Sequence, residues 1–306
     1  MVNEGCTSYG WSIISSASAN SALAAVLAGF VFSGITILFG RTGARSTNAW
    51  ALFISAFVVL AFDSYMFAMV SGSDRSDLCV RVWSEGMTAS GMLAVGGAAV
   101  MTGIGWLVHN HADSTQTPSA EPPADGNGFD VDRLARVMAQ GVVIAVALLL
   151  SRATRDYYNI AIPDVPAWVE WMTLAVPLII GGLIVWLAVW PRVQPGRSGS
   201  TANATSAPPH ASNAASFRYA CYAVLAYGLM APIFAGTLSY LPPLMMTPGH
   251  STAVVVGTTA FGLVFPGALL VLLVLAAAPP TTARTPHSRI DTSPQDPGEK
   301  SASQDF

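Results

Sequence analysis

The chain has 306 residues, 52% of them hydrophobic and 10% charged, with a net charge of −3. A soluble domain carries roughly 25% charged residues, so this composition in water would leave large apolar patches exposed. No basic cluster supports nucleic-acid binding, and the mean hydropathy of +0.51 points to a bilayer as the solvent.

Seven apolar stretches follow one another, each near the roughly 20 residues that a helix needs to cross a membrane. They lie near Asn20–Phe39, Trp50–Val70, Met87–His109, Leu134–Ser151, Pro166–Trp190, Tyr219–Leu241 and Ala253–Ala278. The fourth is the weakest, because its unbroken apolar core runs from Val142 to Leu150 and Arg136 and Gln140 precede it. The pattern predicts an all-α polytopic transmembrane bundle over 1–278. Inner loops at 110–132 and 191–216 interrupt it, and a polar tail over 279–306 follows. These three segments lack large apolar residues to bury and are expected to be disordered. They would serve as linkers or as tethers for a protein partner.

A cleaved signal peptide needs a basic n-region. Met1–Asn20 holds Glu4 and no Lys or Arg, so the first stretch is expected to be retained, with its N-terminus exported. Positive charge then orients the set. With the N-terminus outside, the inner segments hold Arg41, Arg45, Arg133, Arg136, Arg192, Arg197, Arg218, Arg284, Arg289 and Lys300. The outer segments hold Arg75, Arg81, Arg152 and Arg155. The three long polar segments also fall on one side, the inside, when all seven stretches cross. The richness in Ala and the use of Arg over Lys suggest a GC-rich bacterial genome, hence a multi-pass protein of the inner (cytoplasmic) membrane.

Small residues gather where helices approach closely in lipid. Gly86, Ser90, Ala94, Ala98 and Thr102 recur every four residues in the third stretch, which is predicted to be central. Ala25, Gly29 and Ser33 form a shorter series in the first. Pro177, Pro232 and Pro266 interrupt the last three stretches, and each removes a helical hydrogen bond. Trp11, Trp83, Tyr157, Tyr158, Trp168, Trp171 and Tyr240 fall at expected outer ends, as an interfacial belt would.

The chemistry rests on few residues. Lys300, in the tail, is the single lysine, so a retinal Schiff base inside the bundle is excluded. Asp63 is the one acidic residue well inside an expected span, roughly 20 Å along the helix from Trp50 at about 1.5 Å per residue. An intramembrane carboxylate is costly and by default functional. Three readings are open: a proton- or cation-binding site, a structural ion pair with Arg152 or Arg155, and a protonated, hydrogen-bonded acid. The structural pair is favoured. Glu170, between Trp168 and Trp171, reads as an ordinary interfacial carboxylate. Cys6 and Cys79 both fall outside, where disulfides persist, and are predicted to pair. Cys221 reads as a small core residue. His109 and His111 point apart on a helix and lack a supporting Cys.

No H-E-x-x-H, phosphate loop or G-x-S-x-G is present, so an enzyme is not expected, nor a metal or other cofactor. The leading expectation is a non-enzymatic binding, sensory or scaffolding subunit whose partners are the lipid bilayer and a protein docked on the inner loops or tail. The alternative is a small-molecule or ion transporter, proton-coupled through Asp63.

Overall fold

The computed structural model describes residues 6–8, 11–39, 47–73, 79–115, 131–162, 171, 173–183, 186, 210–238, 240–241 and 252–277. Nearly all are helical. In lipid every backbone N–H and C=O must be paired within its own segment, so long apolar runs form helices. In chain order these are α1 (Ile13–Phe39), α2 (Thr47–Ser71), α3 (Cys79–Thr115), α4 (Val131–Ala161), α5 (Thr173–Leu183), α6 (His210–Leu238), α7 (Thr252–Thr259) and α8 (Phe265–Ala277). A π turn, Ala260–Val264, joins α7 to α8.

Among the described residues, six segments are long and apolar enough to cross a membrane: Ile13–Ile37, Ala49–Ser71, Cys79–Leu107, Val137–Ala161, Phe217–Leu238 and Thr252–Ala276. Of the fifth expected stretch, the described core is the 11-residue apolar α5. The outer surface of the bundle is apolar: Phe30 and Ile37 on α1, Leu149 on α4, Leu178 on α5 and Ile233 on α6 are all exposed. A monomer in water does not tolerate a surface of this kind. The chain is a multi-pass helical bundle.

α3 is its centre. It packs on α1, α2, α4, α6 and α8, and its apolar window is 72% buried against 22% for α1. Gly86 of the predicted series leaves room for Ile13; on another side of the helix Gly96 leaves room for Leu60 and Gly103 for Phe53. The series Ala25, Gly29 and Ser33 on α1 behaves otherwise: all three are exposed. α1 instead buries Ala28, Val31 and Ile35 against α2. Ser21 and Ser64 clasp the two helices, each hydroxyl donating to the other residue's carbonyl, at 2.8 and 3.0 Å.

Several boundaries move. α3 begins at Cys79 rather than Met87, and α4 runs on to Ala161 rather than stopping at Ser151. α3 also continues to Thr115 and α6 starts at His210, so helix extends into both segments expected as loops. The cause is common to all four ends. Polar residues there lower hydropathy without opposing helix formation. Residues 116–130, 187–209 and 278–306 lie outside those described.

A cap closes the end of the bundle at which α3 starts. Thr7–Ser8 pairs antiparallel with Trp11–Ser12. A disulfide joins Cys6 to Cys79, with Cα atoms 5.2 Å apart. The Trp83 indole donates to the Cys6 carbonyl at 3.2 Å, and Trp11 meets Trp83 edge to face at 5.4 Å. The Ser8 hydroxyl donates to Asp156 of α4 at 3.2 Å. Trp83 and Tyr157 are thus core residues here, not interfacial anchors; both are fully buried. Tyr240 and Trp171 stay exposed, as belt residues do.

Candidate functional site

α2 places Asp63 in the seam between α2, α3 and α6. Its side chain is fully buried. Neither carboxylate oxygen has a hydrogen-bond partner among the described residues. Next to it on the chain, Ser64 is occupied with Ser21.

The expected ion pair with Arg152 or Arg155 is not formed. Both arginines are exposed on α4. Their charges act on Asp156, one turn beyond Arg152 and next to Arg155 on the same helix. The reason lies in the packing. α4 lies on α3, whereas α2 lies on α1, α3 and α6, so α3 separates the acid from both arginines.

Two further acids lie within the bundle, and hydropathy hid both because they sit in polar end turns. Glu85 is buried and accepts from the Arg81 Nε at 2.8 Å, one turn away on α3. Asp156 is buried and held by Ser8. Each therefore has a partner, and Asp63 differs from both.

Tyr227 of α6 is buried, and α6 packs on α2, the helix that carries Asp63. The seam is tight: a Cβ on Gly228 would meet Val59 Cγ2 at 2.5 Å, one turn of α2 before Asp63. The Tyr227 hydroxyl donates to the Phe261 carbonyl at 2.7 Å. That carbonyl belongs to the π turn. There the Phe265 N–H reaches back to the Ala260 carbonyl, five residues earlier. The next bond of that register would need an N–H on residue 266, which is proline and has none. The tyrosine supplies the missing donor.

Gly91 of α3 makes this junction fit. A Cβ there would lie 2.5 Å from the Tyr227 hydroxyl, 2.8 Å from the Pro266 ring and 3.0 Å from the Phe261 carbonyl oxygen. Phe261 also stacks on Phe234 of α6 at 4.6 Å. The π turn is anchored a second time by Tyr158 of α4, which hydrogen-bonds Thr259 at 2.7 Å.

No family model, curated protein or solved structure matches this chain. The site must therefore be judged by its geometry. It consists of one orphaned carboxyl, one tyrosine and one broken helix around a glycine. Tyr227 was legible in principle, since a tyrosine hydroxyl in mid-span requires a polar partner. Its partner, a carbonyl freed by proline, was not. Cys221 is buried, and its carbonyl accepts from Ser55 at 3.3 Å. Among the described residues no three His, Cys, Asp or Glu side chains gather. The side chains of Glu170, His109 and His111 lie outside those described.

Proposed function

We propose that this protein is a seven-span membrane protein, N-terminus outside and C-terminus inside, that couples proton binding at Asp63 to the movement of a small molecule or ion. The observation that carries the reading is the buried Asp63 carboxyl with both oxygens unpartnered among the described residues. A bare charge in such a place costs several kcal/mol or more, so this packing holds the neutral acid. Proton release in this reading takes place in a second arrangement that receives the charge. An acid kept for structure would be paired, as Glu85 is with Arg81.

The test is flux. Proteoliposomes carrying wild type should take up protons when a transported solute is supplied on one side, screened across alkali cations, amines and amino acids. Asp63→Asn, which mimics the neutral acid, should abolish proton uptake while the protein stays folded. Uptake that survives the substitution refutes the assignment. Reporter fusions after Pro118, Gly199 and Ser288 should all read cytoplasmic.

The sensory or scaffolding reading is favoured by a different observation, the cap bound by disulfide, indole and serine at one end of the bundle. A fixed end suits a protein that holds a partner. It predicts no flux with any solute, and the same experiment separates the two.

A further inference from the structure

The described bundle contains three unusual elements close together. One is an acid without a partner. One is a π turn, a rare insertion that recurs at functional sites. The third is the tyrosine between them. Tyr227 is fixed on the side of the π turn by a hydrogen bond of 2.7 Å and seated in the space that Gly91 leaves. It shares the α2–α6 seam with Asp63.

We infer that Tyr227 reports the protonation state of Asp63 to the π turn, leaving the Phe261 carbonyl for the carboxylate when the proton departs. This rests on the proposal that Asp63 binds and releases a proton. While Asp63 is neutral, it makes no strong demand for a donor, and the hydroxyl serves the carbonyl that Pro266 leaves unpaired. Once Asp63 is charged, the carboxylate is the stronger acceptor, because hydrogen bonds to an ionised oxygen are roughly twice as strong as neutral ones. The Phe261 carbonyl then loses its donor. The turn Ala260–Val264 loosens and α8 is free to move relative to α7.

The other titratable side chains on the described helices packed against α2 lie elsewhere. α1 carries no titratable side chain over Ile13–Phe39. On α3, Arg81 and Glu85 pair with each other toward the cap; His109, His111 and Asp113 lie at the opposite end of the helix. On α6, Arg218, Tyr219 and Tyr222 are exposed, His210 lies a full turn or more further toward that end, and the Cys221 carbonyl meets Ser55, about two turns of α2 from Asp63.

The experiment uses the full chain in nanodiscs. Infrared difference spectra across a pH titration follow the Asp63 carboxyl band, identified by its absence in Asp63→Asn. Hydrogen exchange read by mass spectrometry, corrected for intrinsic rates, follows the amides of Ala260–Phe265 over the same titration. In wild type these amides should exchange about tenfold faster once the carboxyl band is lost, the factor one hydrogen bond is worth. In Asp63→Asn they should stay slow throughout. In Tyr227→Phe they should be fast throughout, while the Asp63 band still titrates. A wild-type band that titrates with no change in exchange overturns the coupling and leaves the proton site standing. So does a Tyr227→Phe protein whose exchange still follows pH. A band that never titrates overturns the proton site and the coupling together.

Discussion

Gly91→Ala is the sharpest test of the junction. In a helix interior alanine is favoured over glycine by about 1 kcal/mol, so propensity alone predicts a gain. The structure opposes it. The new methyl would sit 2.5 Å from the Tyr227 hydroxyl, 2.8 Å from the Pro266 ring and 3.0 Å from the Phe261 carbonyl oxygen. A proline ring and a backbone carbonyl cannot swing aside as a flexible side chain would. Overpacking costs about 1–3 kcal/mol, and displacing the tyrosine costs about 1 kcal/mol more in a lost hydrogen bond. Set against the propensity gain, the net loss is about 1–3 kcal/mol. Gly97 on the same helix supplies the control, since a Cβ there meets nothing within 4 Å. Gly97→Ala should be neutral or stabilising by up to about 1 kcal/mol. Reversible unfolding in mixed detergent micelles, followed by near-UV circular dichroism, reads both. If Gly91→Ala proves as stable as Gly97→Ala, the close approach of α3, α6 and the π turn is wrong.

Three further outcomes follow from the same geometry. Asp63→Asn should change unfolding free energy by less than about 1 kcal/mol, whereas breaking a buried ion pair costs about 3–5 kcal/mol; a double-mutant cycle with Arg152→Ala or Arg155→Ala should show no coupling, and coupling with either would restore the ion pair. Cys6→Ser with Cys79→Ser should lower stability by up to about 4 kcal/mol, the loop-entropy value for a sequence separation of 73; intact mass after alkylation, with and without reductant, checks the bond itself. Ser64→Ala should cost about 0.6 kcal/mol, the average worth of a hydrogen bond between membrane helices, measured by the same unfolding assay, and a loss of several kcal/mol would contradict the clasp with Ser21.

The sequence by itself determined what depends on local composition. Apolar length forces helices in lipid, and this made the bundle legible. The four-residue spacing from Gly86 to Thr102 marked α3 as the helix that others approach. What hydropathy could not see were polar helix ends. Arg81, Glu85, Arg152 and Asp156 sit in turns that remain helical while their polarity ends the apolar run, so two buried acids went unnoticed. Tertiary structure alone decided which acid stands unpaired. Arg152 and Arg155 have side chains long enough to reach inward toward Asp63, but reach is not contact: α4 packs on α3, as α2 does on its own account. The same holds for the α1 stripe, where Ala25, Gly29 and Ser33 had the spacing of an interface and face outward. The pairing of Tyr227 with the Phe261 carbonyl was beyond any local pattern. It depends on a π turn that shifts the register by one residue, and on Gly91 from a third helix leaving the space for both.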